Sequence, residues 1–148
     1  MANESILNLM GNIPFFDQLT KQEMKNLASL DSNVVRFSPS EFIIQEGDLE
    51  FIVYVLLKGV VRVAKTIPKE VTITKLKAGA IFGELSWVGK RPRTTSVIAD
   101  GDVIALKLDL ESIDRFGPVL AKKIQDKLMG ILVTRLEKMN EQLSQLVR

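Results

Sequence analysis

The spacing of apolar residues is helical near the start of the chain. Two short segments show it, and they contain Ile6, Leu7 and Met10, then Met24, Leu27 and Leu30. Pro14 ends the first segment, because proline cannot continue a helix interior. Thr20 followed by Glu23 three residues later is the pattern of a capping box, in which each residue bonds the other's backbone N–H. We therefore predict amphipathic helices within residues 1–31.

Between about residues 33 and 108 the pattern changes to short β-branched runs separated by turn residues. The Lys58-Gly59 and Asp100-Gly101 pairs are hairpin signals between apolar strands. Seven or eight short strands at this spacing predict a sandwich or a jelly roll. The runs are Val34–Phe37, Phe42–Ile44, Ile52–Leu57, Val60–Val63, Val71–Thr74, Ser96–Ala99 and Val103–Leu106.

From Leu110 the spacing becomes helical again. Asp109 or Ser112 can cap a short helix, and Gly117-Pro118 interrupts it. A long helix is predicted from about Val119 to the end. It carries a heptad seam of about two repeats, formed by Leu132, Leu136, Met139, Leu143 and Leu146. The seam either packs on its own domain or forms a parallel dimer. The dimer is favoured because the helix projects past any core it could cover.

These patterns together predict a mainly β fold with flanking helices. We expect a helical segment at 1–31, a jelly-roll (double-stranded β-helix) core at 32–108, and a hinge with a long C-terminal helix at 109–148. The length of 148 residues is usual for one domain.

Composition excludes several classes of function. Lys plus Arg number 20 and Asp plus Glu 18, so the net charge of +2 argues against a nucleic-acid or membrane footprint. The chain has no cysteine and no histidine, which removes thiol chemistry, the commonest general base and the commonest metal ligands. We therefore expect that the protein has no metal site and is not an enzyme. With no basic segment before an apolar run at the N-terminus and no apolar stretch of ~20 residues, we expect a cytoplasmic protein.

The stretch from Phe82 to Ser96 is the candidate small-molecule site. Gly79 and Gly83 allow a sharp turn and a close backbone approach to a ligand. The residues from Glu84 to Trp87 can form about one helical turn, whose first N–H groups point outward and favour an anion. Arg93 can supply a guanidinium to phosphate oxygens. Glu84 suits a sugar hydroxyl, since a carboxylate repels phosphate. A solvated surface turn is the alternative interpretation of these residues.

These residues resemble the phosphate-binding cassette of the cyclic-nucleotide-binding domain. That family includes the catabolite activator protein, protein kinase A regulatory subunits and cyclic-nucleotide-gated channels. Phe82-Gly83-Glu84-Leu85 and Arg93 match the cassette pattern. Gln45-Glu46-Gly47-Asp48 resembles the family's turn between early strands, and Leu57-Lys58-Gly59-Val60-Val61 resembles its hairpin. The resemblance covers nearly the whole chain.

The resemblance implies a role for each cassette residue. Arg93 would pair with the cyclic phosphate, together with the backbone amides of Leu85 and Ser86. Glu84 would hold the ribose 2′-hydroxyl, and Gly83 would permit the close approach. Thr94 and Thr95, at the two small positions after the arginine, complete the predicted set within the cassette.

The resemblance also implies contacts from outside the cassette. Val63 and Ile73 fall where family members line the base pocket. Arg135 falls on a segment that resembles the central helix of the activator. Asn140, next to Met139, falls near positions that reach the base, partly from the partner subunit.

The chain departs from the family pattern at two informative places. Trp87 replaces an aliphatic residue, and it either faces the core or stacks on a base. Thr94 follows the arginine at the place where cAMP-selective kinase modules have Arg-Ala. By the resemblance, threonine there is a feature of cGMP-selective kinase modules and of channels that accept both nucleotides, so the ligand can be cAMP or cGMP. Arg135 and Asn140 resemble the lid of the activator, which favours cAMP.

The main hypothesis is a cyclic-nucleotide sensor module that transmits binding through a hinge near Phe116-Gly117-Pro118 and the long helix. We expect a homodimer through that helix and no cofactor besides the nucleotide ligand. The alternative is a ligand-free structural dimerisation domain of the same fold. The activator relatives carry a DNA-binding helix-turn-helix beyond the long helix. The chain is therefore either a stand-alone sensor or a piece of a longer protein.

Overall fold

The computed structural model describes residues 4–29 and 33–147. Two helices precede the sheets: α1 (Glu4–Gly11) and α2 (Lys21–Ala28), with a 3₁₀ turn at Pro14–Phe16 between them. The predicted capping box is confirmed. The Glu23 amide donates to Thr20 Oγ1 over 3.1 Å, and the Thr20 amide donates to Glu23 Oε1 over 2.8 Å. Leu30 and the predicted boundary between residues 31 and 32 lie outside the described residues.

Two four-stranded antiparallel sheets follow, as the jelly-roll prediction requires. The first has the order β1-β8-β3-β6 and the second β2-β7-β4-β5. The strands are β1 (Val34–Phe37), β2 (Phe42–Ile44), β3 (Ile52–Lys58), β4 (Val60–Lys65), β5 (Val71–Lys77), β6 (Ile81–Phe82), β7 (Ser96–Ala99) and β8 (Val103–Asp109). All seven predicted runs are strands. The two predicted hairpins are wrong, because the Lys58-Gly59 and Asp100-Gly101 turns each join a strand of one sheet to a strand of the other. The eighth strand, β6, has only two residues, too few to show an alternating pattern, and it pairs with Tyr54 and Val55 of β3.

Strand β3 is buried on both of its faces, because it separates two apolar clusters. Side chains of Tyr54 and Leu56 point into the space between the sheets. The alternating residues Val53, Val55 and Leu57 pack against the helices. This is the period-two alternation of a strand, expressed in a layer that is covered on both sides. The helices are therefore part of the core and do not merely flank it.

The second half of the chain contains α3 (Glu84–Gly89), a 3₁₀ turn (Ile113–Phe116) and the long helix α4 (Pro118–Leu146). The first half of α4 is anchored to the domain. Ile124 and Leu128 are buried in the helical cluster, and Lys123 and Lys127 reach Glu23 and Asp17 of the N-terminal segment over 2.7 and 3.1 Å. Gly117 precedes the helix with a φ of 92°, so the chain turns sharply where the hinge is predicted.

The second half of α4 carries four of the five predicted seam residues on its exposed surface, and the fifth, Leu132, is half-buried. Leu136, Met139, Leu143 and Leu146 are 56–80% exposed. Within the single chain these four side chains do not pack on their own domain, and the interface they form with another chain stays a prediction. In the described part of the chain, no helix combines the length and apolar character needed to cross a membrane.

Candidate functional site

A cavity of about 320 Å³ opens beside α3 and is lined by residues from all four strands of the second sheet. Its polar side is formed by the turn from β6 into α3 and by the segment that follows Arg93. Its apolar side is formed by strand residues. The residues lining it are Ile44, Val63, Leu76, Ile81, Phe82, Gly83, Glu84, Leu85, Ser86, Arg93, Thr94, Thr95, Val97 and Arg135.

Gly83 makes the turn into α3 in a conformation that favours glycine. Its φ is 89°, in the left-handed region. A Cβ built on it would lie 2.8 Å from the Ile52 carbonyl oxygen and 2.9 Å from Arg93 Nη1. Glycine therefore serves two purposes here: it allows the turn, and it leaves room for the arginine behind it.

Arg93 is a buried cation, 5% exposed, and most of its donors are already used. Nη1 donates to the Gly83 carbonyl over 2.7 Å. Nη2 donates to the Ile52 carbonyl over 2.7 Å and pairs with Glu50 Oε1 at 3.2 Å. Nε is buried and has no hydrogen-bond partner among the described residues. An unsatisfied buried donor is costly, and a ligand that accepts from Nε would remove that cost.

Glu84 is buried and bonded to the long helix. Arg135 Nη1 donates to Glu84 Oε1, and Nη2 donates to the Ile81 carbonyl over 2.9 Å. One arginine of α4 therefore contacts both the acid of the cassette and the strand before it. These contacts hold the helix across one side of the cavity.

Nine of the eleven predicted site residues line the cavity. They are Val63, Gly83, Glu84, Leu85, Ser86, Arg93, Thr94, Thr95 and Arg135. Ile73 and Asn140 do not. The cassette residues meet because they are neighbours in sequence, whereas Val63 and Arg135 are brought in by β4 and α4.

Ile73, which was predicted to line the base pocket, does not line the cavity. The register of β4 and β5 shifts at this point: Val63 pairs with Thr74 and Ala64 with Thr72, so Ile73 is the extra residue of a bulge. Ile73 is 57% exposed, and Leu76, opposite Val61, takes the place on the cavity face.

Asn140 lies on the exposed second half of α4, more than one helical turn beyond Arg135. Within the single chain it does not line the cavity. Its predicted contact with the base needs a second chain or a moved helix, and it stays a prediction.

The sequence interpretation missed most of the apolar wall. Ile44, Leu76, Ile81 and Val97 line the cavity, and Leu76 follows only from the register of β4 with β5, in which it lies opposite Val61. It also missed Glu50, which no motif connects to Arg93. Trp87 packs against the helical cluster and not against the cavity, as its core-facing interpretation predicted.

Two ionisable groups beside the cavity have shifted pKa values. Burial raises the pKa of Tyr54 to about 12, and the nearby Glu50 charge adds to the effect. A hydrogen bond from the Thr66 backbone amide, and after it the hydrogen bond from Lys65, lowers the pKa of Glu46 to about 2. Among the described residues, no group of three or more acidic side chains is arranged to hold a metal ion.

We expect the charge of Glu46 to stabilise the fold at neutral but not at acidic pH. The folded-state pKa of Glu46 lies below its unfolded value of about 4.3, so the stabilisation is present above that value and is lost as pH falls toward 2. Urea unfolding of the wild type and Glu46→Gln should differ most above about pH 5 and converge below it. A difference that stays constant down to pH 3 would contradict this assignment.

Comparison with known proteins agrees with this geometry. The family model of the cyclic nucleotide-binding domain matches residues 34–117. The chain is 35% identical over 125 residues to the Drosophila melanogaster cAMP-dependent protein kinase type II regulatory subunit, covering 80% of this chain and 33% of that protein. It therefore spans only about a third of that relative.

Two solved structures are similar in fold. One is the Thermus thermophilus catabolite activator protein, with a TM-score of 0.73 and 26% identity over 90% of this chain and 62% of that one. The other is a cyclic nucleotide-binding domain from Methylobacillus flagellatus, with a TM-score of 0.69 and 29% identity over 94% and 80% of the two chains.

Proposed function

This chain belongs to the cyclic nucleotide-binding domain family, and on that premise we propose that it is a regulatory module whose cavity binds a cyclic nucleotide. The observation that carries the proposal is Arg93. It is a buried guanidinium at the cavity wall, beside a helical turn, and its Nε has no partner in the part of the chain that the structure describes. An anionic ligand supplies the acceptor that the described residues do not give to Nε.

The proposed binding mode uses the residues of the cassette. Arg93 and the amides of Leu85 and Ser86 bind the cyclic phosphate, and Gly83 permits its approach. Glu84 accepts a hydrogen bond from the ribose 2′-hydroxyl. Only one oxygen of its carboxylate is bonded to Arg135, so Oε2 is the acceptor we assign to the hydroxyl.

We favour cAMP over cGMP as the ligand. Arg135 lines the cavity from α4, which fits the lid of the activator-type relatives more than that of a kinase. Thr94 also lines the cavity, and its hydroxyl can bond a guanine amino group. Binding of cGMP with lower affinity is therefore part of the proposal.

The proposed output is a movement of α4. Arg135 bonds this helix to Glu84 and to the Ile81 carbonyl, so a ligand that binds Glu84 changes the contacts that hold the helix. A nucleotide that prefers one position of α4 shifts the population toward it, with Gly117 as the hinge.

The domain is a regulatory fold. We propose no catalytic activity and no cofactor for this chain, and no nucleic-acid or membrane partner. We place it in the cytoplasm.

Thermal unfolding with added nucleotides tests the proposal. A ligand at about a hundred times its Kd stabilises the folded state by about 2.7 kcal/mol, which is an increase in Tm of roughly 5–10 °C for this size. We expect that increase with cAMP, a smaller one with cGMP at equal concentration, and none with 5′-AMP. No change with either cyclic nucleotide would contradict the proposed function.

We propose a homodimer through the exposed seam. Replacing Leu136 and Leu143 together by glutamate should convert a dimer into a monomer, because each dimer interface would then bury four carboxylates. Light scattering measures the mass. Val119→Glu is the matched control, since Val119 is also exposed on α4 but lies outside the seam.

A monomeric wild type would contradict the homodimer. A dimer that responds to no cyclic nucleotide would instead support the alternative function, a ligand-free structural dimerisation domain.

A further inference from the structure

We propose that Glu46 is a positioning residue of the nucleotide site, acting through the backbone that carries Arg93. This inference rests on the proposed function. Glu46 lies two residues beyond β2, does not line the cavity, and has a side chain only 11% exposed. Its role is to fix residues 93–96 against the turn that follows β2.

The Glu46 carboxylate is the centre of a small polar network. Oε1 accepts from the Thr66 amide over 2.7 Å and from Thr66 Oγ1 over 3.2 Å. Oε2 pairs with Lys65 Nζ at 2.9 Å. The backbone amide of Glu46 donates to Ser96 Oγ over 2.9 Å, and that oxygen lies 3.0 Å from Thr66 Oγ1.

The network and the turn that carries Glu46 hold residues 93–96, which follow α3, at three places. Lys65 Nζ donates to the Thr94 carbonyl over 2.8 Å, so that the ammonium bridges Thr94 and Glu46. Ser96 is held through its hydroxyl. The backbone of Arg93 is held by both of its groups, because the Gly47 amide donates to its carbonyl and its amide donates to the Asp48 carbonyl, each over 2.8 Å.

These contacts complement those of the Arg93 side chain. The guanidinium is bonded to Gly83, Ile52 and Glu50, none of which belongs to the Glu46 network. The direction of the side chain is therefore set both at its tip and at its backbone. Lys65 is half-exposed, so without the negative charge of Glu46 it is free to leave the Thr94 carbonyl for water.

The test compares Glu46→Gln with a matched control, Asp100→Asn. Asp100 is also a carboxylate paired with two cations, Lys75 at 2.9 Å and Arg62 at 3.6 Å, but it lies in the turn between β7 and β8 and does not line the cavity. Calorimetry measures the affinity for cAMP, or for cGMP if the wild type binds it more tightly. Amide hydrogen exchange of the ligand-free protein measures how strongly the backbone amides of Gly47 and Arg93 are protected.

We expect Glu46→Gln to bind roughly tenfold more weakly than wild type, the change in Kd that about 1.4 kcal/mol produces. Asp100→Asn should stay within about twofold. The amides of Gly47 and Arg93 should exchange about tenfold faster in Glu46→Gln, while the amides of Val61 and Val63 in β4 keep their wild-type rates.

Three results overturn the inference while the proposed function stands: wild-type affinity in Glu46→Gln, an equal loss in Asp100→Asn, or unchanged exchange at Gly47 and Arg93. If Glu46→Gln does not fold, Lys65→Met removes the ammonium that bridges Thr94 and Glu46 but keeps the bonds from Thr66 to Glu46, and wild-type affinity in that variant overturns the inference too. A wild type that binds neither nucleotide removes the proposed function and this inference together.

Discussion

Arg93→Ala should abolish cyclic-nucleotide binding, the largest effect expected of any single substitution in this chain. A hydrogen bond to a charged group is worth ~1.5–3 kcal/mol or more, and here the phosphate would also lose the buried cation that neutralises it. The alanine also leaves the carbonyls of Gly83 and Ile52 without their donor, which lowers stability. Calorimetry on the folded fraction, checked by circular dichroism, measures the loss.

Arg93→Lys separates binding from folding. Lysine keeps the positive charge but cannot reproduce a guanidinium that serves Gly83, Ile52 and the ligand from three nitrogens. We expect at least about a tenfold weaker affinity in a folded protein, as for the loss of about 1.4 kcal/mol.

Arg91→Ala is the matched control. Arg91 belongs to the same basic cluster two residues earlier, but its side chain is exposed and it does not line the cavity. It should bind with wild-type affinity. Equal losses at Arg91 and Arg93 would show that general positive charge, and not the buried guanidinium, attracts the nucleotide.

Gly83→Ala should also remove binding, for a steric reason. The new Cβ would lie 2.8 Å from the Ile52 carbonyl oxygen, which belongs to the backbone of β3 and cannot move aside cheaply. It would also lie 2.9 Å from Arg93 Nη1, so the guanidinium has to move. The positive φ adds a cost of about 1–2 kcal/mol. We expect lost binding in calorimetry and a clearly lower free energy of unfolding in urea.

Gly79→Ala isolates the conformational part of that cost. Gly79 has a φ of +96°, close to that of Gly83, but a Cβ there meets nothing within 4 Å. It should lose about 1–2 kcal/mol of stability and bind nucleotide as the wild type does. If Gly83→Ala behaves the same way, the close approach at Gly83 has no role in the site.

Local signals in the sequence predicted most of the fold. The capping box at Thr20 and the β-branched runs depend on residues close together in the chain, and both are present in the structure. The Lys58-Gly59 hairpin is not, because β3 and β4 belong to different sheets and each pairs with other strands. Strand β6 was missed because a two-residue strand has no period. It forms through its pairing with Tyr54 and Val55, a long-range contact that no local pattern encodes.

In the candidate site too, local patterns could be predicted and long-range contacts could not. The cassette from Gly83 to Thr95 could be predicted because its residues are close in sequence and share a recognisable motif. Ile73, placed in the base pocket by the resemblance, is instead the exposed extra residue of a bulge in β5, and a bulge depends on pairing with β4. Glu50 was missed because its contact with Arg93 joins residues that are 43 positions apart.

The most direct test of the central claim is a calorimetric titration of cAMP and of cGMP into the wild-type chain. We predict saturable binding of one nucleotide per chain with micromolar or tighter affinity, and tighter binding of cAMP than of cGMP. The absence of saturable binding for both nucleotides at millimolar concentration would contradict the assignment of the Arg93 cavity as a cyclic-nucleotide site.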